Sequence, residues 1–225
     1  MANPLAEANL IKVKYAFQIV SEAGLCLGIK AKDGVLIAVE RSMECRNTPS
    51  QKIFQVNDNV VCAVTGVQSD ASLLMKQALM SAERYESRHR RPMSCAEVAF
   101  ELSDAKRTYN QADQLWTLAV SILYMGWDAK CCYQLIQSHP NGSYTGCKSA
   151  CIGNKFDIVS AMLRQELCGI EAITLEEAKQ LAIKVLSNSF ADFSAANYEI
   201  ATLQRARSRT VYDVLRGADV NKLIR

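Results

Sequence analysis

Apolar residues near the start of the chain recur every three or four positions, which predicts an amphipathic helix that ends at Gly24. Two apolar runs, residues 25–29 and 35–39, follow on either side of a turn with the sequence Lys-Ala-Lys-Asp-Gly. An Asp-Gly pair between two such runs predicts a β-hairpin, because glycine tolerates the positive φ that the turn needs. The residues expected on the buried face of the helix are Leu10, Val13, Ala16, Phe17, Val20 and Ala23.

The rest of the chain alternates between groups of strands and pairs of helices. Runs rich in Val, Ile and Phe and bounded by Asn or Asp predict strands, and two Ser/Thr-x-x-Glu capping boxes, at 94–97 and 174–177, mark helix starts. Further strands are predicted over 53–56, 60–65, 118–127, 132–137, 144–152, 200–203 and 211–215, and further helices over 69–88, 94–111, 155–167 and 174–189. A short C-terminal helix is expected last.

Strands that come in hairpins and are separated by helix pairs indicate antiparallel sheets rather than βαβ winding. Two antiparallel sheets face to face between helix pairs, an α+β four-layer αββα sandwich, would bury the apolar face of every element. The sequence has no linker rich in Pro, Gly or Ser and no break in composition. We therefore predict a single domain over residues 1–225, in which 1–24 form an N-terminal segment and helix.

The composition, 49% hydrophobic and 22% charged over 225 residues, is typical of soluble globular proteins and excludes the disordered class. A net charge of +3 is too small to imply a nucleic-acid partner. No apolar run reaches the roughly 18 to 20 residues of a membrane span, so no membrane partner is expected either. The N-terminus lacks the basic and apolar regions of a secretory signal.

The nine cysteines form no pattern that predicts a metal site or a disulfide framework. Their number is odd, no Cys-x-x-Cys occurs, and the chain has only two histidines, so we expect no metal and no cofactor. Four of them, Cys26, Cys62, Cys131 and Cys151, lie inside apolar runs, where a free cysteine acts as a small hydrophobic residue. Without a secretory signal we expect reduced thiols and a cytoplasmic and nuclear localisation.

Five stretches of the sequence resemble proteasome α-type subunits, in particular the eukaryotic alpha type-4 group. The resemblance implies the N-terminal-nucleophile hydrolase fold, which is an αββα sandwich, and a place in the seven-membered outer ring of the 20S core particle. The stretches are KVKYAFQIVSEAGLCLGIKAKDGVLIAVER at 12–41, SQKIFQVNDNVVCAVTGVQSDASLL at 50–74, LYMGWDAKCCYQLIQSHPNGSYTGCKSACIGN at 123–154, LAIKVLSNSF at 181–190 and EIATLQRARSRTVYDVL at 199–215.

The same resemblance bears on catalysis. In active members of the family a propeptide is removed so that a threonine begins the first strand of the hairpin, where its free amine helps to activate its hydroxyl. The resemblance places Gly24 at that threonine, Glu40 at a supporting aspartate and Lys52 close to a supporting lysine. Since Gly24 has no side chain and follows a helix, we expect a non-catalytic subunit. An active hydrolase whose cleavage exposes a nucleophile such as Cys26 is the alternative.

The resemblance further implies contacts with neighbouring α subunits and β-ring subunits, and a role in substrate entry during ubiquitin-dependent protein degradation. The C-terminal tails of regulatory-particle ATPases or other activators would dock with their terminal carboxylate on Lys52, near Gly66. Read without the resemblance, Lys52 is a solvated lysine before a strand. Tyr15 corresponds to a gate residue, or is a half-buried helix aromatic. The basic clusters 88–91 and 205–209 are expected to be a solvated loop and hairpin tip.

Overall fold

The computed structural model describes residues 4–41, 51–111, 117–190, 193–216 and 219–220, and the predicted C-terminal helix lies largely outside them. Its helices are α1 (Pro4–Glu22), α2 (Gln68–His89), α3 (Cys95–Gln111), α4 (Phe156–Glu166) and α5 (Leu175–Ser189). The strands are β1 (Cys26–Lys30), β2 (Gly34–Glu40), β3 (Ile53–Asn57), β4 (Val60–Gly66), β5 (Val120–Asp128), β6 (Cys132–Ser138), β7 (Tyr144–Gly146), β8 (Ser149–Ile152), β9 (Tyr198–Ala206) and β10 (Arg209–Arg216). In these ranges no helix is both long and apolar enough to span a bilayer.

These strands form two five-stranded sheets in which every pair is antiparallel. The first sheet has the order β10-β9-β2-β1-β8 and the second has the order β3-β4-β5-β6-β7. The predicted hairpin is present, with Cys26 opposite Val39 and Lys30 opposite Val35. The alternation of hairpins with helix pairs therefore predicted antiparallel sheets correctly.

Three clusters of buried apolar residues confirm the four layers. One cluster, which includes Ile37, Leu123 and Leu203, lies between the two sheets. A second joins the outer face of the first sheet to α4 and α5, and a third joins the outer face of the second sheet to α2 and α3. The fold is thus the predicted α+β sandwich of two antiparallel sheets between helix pairs.

The prediction of one strand over 144–152 is wrong, because this segment crosses from one sheet to the other. β7 pairs with β6 in the second sheet, whereas β8 pairs with β1 in the first. The change falls between two adjacent residues: the Cys147 amide donates to the Leu135 carbonyl at 2.9 Å, and the Lys148 carbonyl accepts from the Lys30 amide at 2.8 Å. The segment 144–152 contains no turn signal at the point of change, so the sequence does not indicate the change of partner.

The predicted buried face of α1 is confirmed at only two of its positions. Ala16 and Val20 are buried, but Leu10 is 70% exposed and Phe17 is 37% exposed. The helix packs on α3, β4 and β5, and its small buried residues give a narrow contact stripe. At Leu10, Ile11 and Phe17, α1 therefore presents apolar side chains to solvent.

The β1–β2 turn contains Asp33 and Gly34 as predicted, but Gly34 does not adopt a positive φ. It begins β2, and a Cβ atom there would lie 2.8 Å from the carbonyl oxygen of Leu203 on the neighbouring strand. Glycine is thus needed for close strand approach rather than for the turn. Asp33 accepts a hydrogen bond from the amide of Leu175 at 2.7 Å, which ties the turn to the first residue of α5.

Candidate functional site

Four chain segments meet at one end of the sandwich, around Gly24. The Thr65 hydroxyl donates to the Gly24 carbonyl at 2.6 Å, and the Lys52 ammonium donates to the Glu40 carbonyl at 2.7 Å. The Glu40 carboxylate accepts from the Leu25 amide at 3.0 Å. We call Gly24, Glu40, Lys52 and Thr65 the Gly24 site.

The strand pattern explains why these residues converge. Glu40 is the last residue of β2, and its amide donates to the Leu25 carbonyl at 2.8 Å, at the start of the hairpin. Lys52 precedes β3, and its carbonyl accepts from the Val64 amide at 2.9 Å, at the end of β4. β1 and β2 belong to the first sheet and β3 and β4 to the second. The Gly24 site therefore lies where the two sheets face each other at one end.

The space beside Gly24 is occupied by the lysine. A Cβ atom built on Gly24 would overlap the Lys52 Nζ atom and would lie 3.5 Å from the Glu40 carboxylate. The peptide before Gly24 is also fixed, because the Ala23 carbonyl accepts from the Asn154 amide at 2.8 Å. The site thus contains an ammonium, a carboxylate and a hydroxyl, but no side chain at its centre.

Sequence reasoning missed Thr65, which belongs to this site, and Gly153, which lies beside it. The Thr65 side chain is buried, and its hydroxyl is held by the Gly24 carbonyl. Gly153 has φ +98, and a Cβ atom on it would lie 2.7 Å from the same carbonyl oxygen. A threonine at the end of an apolar strand and a glycine after another carry no local pattern, so only the fold reveals them.

The two residues predicted to hold an activator tail lie at the same end of the molecule. Lys52 is 8% exposed, so the expectation of a solvated lysine is wrong. Gly66 ends β4 with φ +125, and a Cβ atom there would overlap the Ala119 carbonyl oxygen. The backbone alone therefore requires glycine at position 66. The tail-binding role of both residues stays a prediction.

Tyr15, the predicted gate residue, lies on α1. Its side chain is 64% exposed, so the interpretation as a half-buried helix aromatic is wrong. Leu10 and Ile11, on the same helix, are 70% and 68% exposed. These residues give α1 an apolar surface, and the gate role of Tyr15 stays a prediction.

Cys26 lies two residues after Gly24 but is unsuited to nucleophilic chemistry. It is fully buried, and its thiol faces the Val64 carbonyl at 3.7 Å. Burial raises the pKa of the Cys26 thiol to about 12, against the opposing effect of nearby Lys52. A thiol with that pKa holds almost no thiolate at neutral pH. By contrast Cys131, which was expected to act as a small hydrophobic residue inside an apolar run, is exposed, because it lies in the β5–β6 turn.

Comparisons with known proteins agree with the fold. The sequence model of the protein family described as Proteasome subunit matches residues 20–203. The chain is 44% identical to proteasome subunit alpha type-4 of Drosophila melanogaster, over 97% of this chain and 86% of that protein. It is 36% identical to proteasome subunit alpha type-4-like of the same species and 34% identical to alpha type-4 of Petunia hybrida, over 97% of this chain and 90% and 89% of those proteins. The chain therefore belongs to the proteasome subunit family, among its α-type subunits of the alpha type-4 group.

Proposed function

We propose that this chain is a non-catalytic subunit of the α ring of a 20S proteasome and forms part of the antechamber wall. The observation that carries the proposal is the Gly24 site, which keeps a carboxylate and an ammonium around a residue without a side chain. Relatives named as proteasome alpha type-4 subunits over nearly the whole chain support the same role.

The geometry of the Gly24 site is unsuited to N-terminal-nucleophile chemistry. That chemistry needs a hydroxyl or thiol on the first residue of the strand and a free amine beside it. Gly24 supplies no nucleophile, and the Lys52 ammonium occupies the space in which one would lie. The alternative with Cys26 requires a thiol that is fully buried and has a raised pKa to act as a thiolate. We therefore place no reaction at this site.

The Gly24 site is instead suited to binding a carboxylate. An ammonium has three N–H donors, and the Lys52 ammonium donates one of them to the Glu40 carbonyl. The terminal carboxylate of an activator tail that enters beside Gly66 would accept a charge-assisted hydrogen bond from the same group. We propose that Lys52 and Gly66 contribute to a docking pocket for the C-terminal tails of regulatory-particle ATPases or other activators.

The exposed apolar residues of α1 are suited to contacts within a ring. Leu10, Ile11 and Tyr15 are more than 60% exposed in the single chain, and apolar surface of this kind indicates burial against a partner. We propose that α1 packs on a neighbouring α subunit and that Tyr15 contributes to the gate for substrate entry. Contacts with β-ring subunits, ubiquitin-dependent degradation and a cytoplasmic and nuclear location are part of the same proposal.

Native mass spectrometry of the chain purified from cells through an affinity tag tests the central claim. We expect the chain in a large particle together with other proteasome subunits, and we expect its intact mass to include residues 1–25. A stable monomer would contradict the α-ring role. Loss of residues 1–25, which would place Cys26 at a new N-terminus, would contradict the non-catalytic assignment.

A further inference from the structure

A cavity of about 100 Å³ lies between the second half of α1 and the two sheets. Its walls come from α1, from β5 and β6 of the second sheet, and from the end of β8 and the start of α4. The end of α1 is fixed beside the cavity, because the Ala23 carbonyl accepts from the Asn154 amide at 2.8 Å. We call it the α1 cavity; its lining includes Phe17, Ser121, Gln137, His139, Ile152 and Phe156.

Three polar side chains of the second sheet reach the α1 cavity. Side chains alternate between the two faces of a strand, so on β5 Ser121 lies on the same face as Leu123, which belongs to the cluster between the sheets. Gln137 of β6 lines the cavity as well, and His139 follows just after that strand. The centre of the His139 ring lies 5.7 Å from that of Phe17 on α1. A hydroxyl, an amide and an imidazole therefore converge on one cavity.

The side chains of Ser121, Gln137 and His139 have no hydrogen-bond partner among the residues that the structure describes. Ser121 is buried, and its hydroxyl oxygen is unpaired. The hydroxyl of Thr65, opposite Ser121 on β4, is already donated to the Gly24 carbonyl. Buried polar groups in proteins are nearly always paired with protein, water or ligand. These three groups are therefore available to a molecule in the α1 cavity.

Among the described residues that line the α1 cavity, none carries a charged side chain at neutral pH. The lining has no Asp, Glu, Lys or Arg. Burial and the nearby Lys106 ammonium lower the pKa of His139, so its imidazole is neutral at pH 7. An ion would lose its hydration here without gaining an opposite charge. The cavity is therefore suited to an uncharged molecule.

The remaining wall of the α1 cavity is suited to an apolar ring. Phe17 and Phe156 contribute aromatic side chains, and Val20 and Ile152 contribute aliphatic ones. An engineered apolar cavity of roughly 150 Å³ in another protein binds benzene. The α1 cavity is smaller, but it adjoins a second cavity of about 430 Å³, and Cys151 and Phe156 line both. One six-membered ring therefore has room against these walls.

We propose that the α1 cavity binds a small uncharged molecule made of one aromatic ring and a hydroxyl group, that is, a phenol. A hydroxyl donates one hydrogen bond and accepts others, which matches the Ser121 hydroxyl together with the Gln137 amide or the His139 imidazole. The ring would pack against Phe17 and Phe156. This binding site goes beyond the role proposed for the Gly24 site, and it does not depend on that role.

The test uses this chain purified through an affinity tag, in whatever assembly it occupies, with 4-fluorophenol and fluorobenzene as probes in fluorine NMR titrations. Ser121→Ala should weaken binding of 4-fluorophenol by about three- to tenfold, the loss of one hydrogen bond, and change that of fluorobenzene by less than about twofold. The matched variant Ser160→Ala, in the lining of the second cavity alone, should change neither. Because the Ser121 hydroxyl is unpaired within the described chain, its removal should not lower the stability of the fold.

Photolabelling locates the bound phenol on the chain. Light-activated 4-azidophenol should label the segments 17–21 and 151–156, which mass spectrometry of the digested chain identifies, and excess phenol should prevent this labelling. Val20→Phe places a larger side chain in the cavity and should abolish the labelling. Leu79→Phe, at an exposed apolar position of α2, is the matched control and should leave it unchanged.

Several outcomes would overturn the phenol proposal. These are equal effects of Ser121→Ala and Ser160→Ala, an equal effect of Ser121→Ala on the two fluorinated probes, or no labelling that phenol prevents, which would assign the cavity to water alone. Labelling of the free chain but not of the assembled particle would assign the cavity to a side chain of a neighbouring subunit instead. A stable monomer that is labelled as expected would contradict the α-ring role and leave the phenol site intact.

Discussion

Lys52 and Lys106 are both buried, yet their surroundings differ. Lys52 is 8% exposed at the end of the sandwich, where its ammonium donates to the Glu40 carbonyl at 2.7 Å. Lys106, on α3, is fully buried, and its ammonium donates to the Ser138 hydroxyl at 2.9 Å. Lys52 lies among converging strand ends. Lys106 lies on the buried face of α3, against the apolar cluster of the second sheet.

The surroundings of Lys106 oppose its charge. Burial lowers the pKa of Lys106 to about 7, and the smaller opposing effect of Cys62 does not restore it. The Tyr124 hydroxyl, 3.0 Å from that of Ser138, completes a small polar group in the core. Burial of a lysine is therefore no sign of function in itself. What marks the Gly24 site is the convergence of a carboxylate, an ammonium and a hydroxyl from separate strands on one backbone position.

Gly66→Ala should have the largest effect on stability, because it disturbs the end of β4 that supports the Lys52 region. The residue needs φ +125, and its new Cβ atom would overlap the rigid Ala119 carbonyl. We expect a loss of roughly 2–4 kcal/mol in the free energy of unfolding, measured by urea denaturation of the full chain.

Two other glycines separate the two contributions to that loss of stability, which are the strain of the positive φ and the overlap of the new Cβ atom. Among the described residues, no atom lies within 4 Å of a Cβ atom added at Gly169, which has φ +76, so Gly169→Ala should cost about 1 kcal/mol from the backbone alone. Gly146 has no positive φ and likewise no described atom near an added Cβ, so Gly146→Ala should change stability by less than about 0.5 kcal/mol. Equal effects of all three substitutions would refute the explanation of Gly66 by close backbone contact.

Lys106→Met should stabilise the chain, by about 1–3 kcal/mol at pH 7. The substitution removes a buried ammonium, and the hydroxyls of Tyr124 and Ser138 remain hydrogen-bonded to each other. Urea denaturation measures the gain, and Lys76→Met on the exposed face of α2 is the matched control. A loss of stability in the Lys106 variant alone would show that the polar group holds α3 in place.

The pH dependence of the free energy of unfolding tests the lowered pKa of Lys106, and it does not depend on how well a replacement side chain packs. The pKa of Lys106 is about 7 in the folded chain and has the ordinary value of 10.5 when unfolded. Between these values the unfolded state binds more protons, so the wild-type free energy of unfolding should rise with pH. The destabilisation is complete below pH 7 and disappears toward pH 10.5. Lys106→Met should lack this part of the slope, and an unchanged slope would contradict the lowered pKa.

Local patterns predicted the parts of the fold that local chemistry determines. The hairpin around Asp33 and the capping box at Thr174 and Glu177 both form as predicted, because their signals lie within a few residues. The change of sheet between Cys147 and Lys148 could not be predicted, since it depends on strands distant in sequence.

The Gly24 site, too, could be predicted only in part from local sequence patterns. The resemblance to a family indicated which positions to compare, and the fold brings Gly24, Glu40 and Lys52 together. The burial of Lys52 and the part played by Thr65 were not predictable, because a lysine before a strand and a threonine at the end of another look ordinary in sequence. Their surroundings arise only when two sheets meet.

Gly24→Ala should destabilise the chain by about 1 kcal/mol, because the new Cβ atom displaces the flexible end of Lys52 rather than a backbone atom. The double variant Gly24→Ala/Lys52→Met should lose less stability than the two single changes add up to, since the overlap disappears with the ammonium. Strict additivity in urea denaturation would show that the two groups do not compete for the same space. Neither variant should gain peptidase activity.

Lys52→Gln should have only a small effect on stability, about 0.5–1 kcal/mol, because glutamine keeps a donor for the Glu40 carbonyl and loses only the charge. Its effect on docking should be larger, since a terminal carboxylate would no longer meet an ammonium. Binding of an activator-tail peptide to the assembled particle measures this, with the C-terminal amide of the same peptide as the control. If Lys52→Gln and wild type bind the free-acid peptide equally, the Lys52 ammonium does not bind the tail carboxylate and has only a structural role. Lys52 and Lys106 would then differ only in how deeply they are buried.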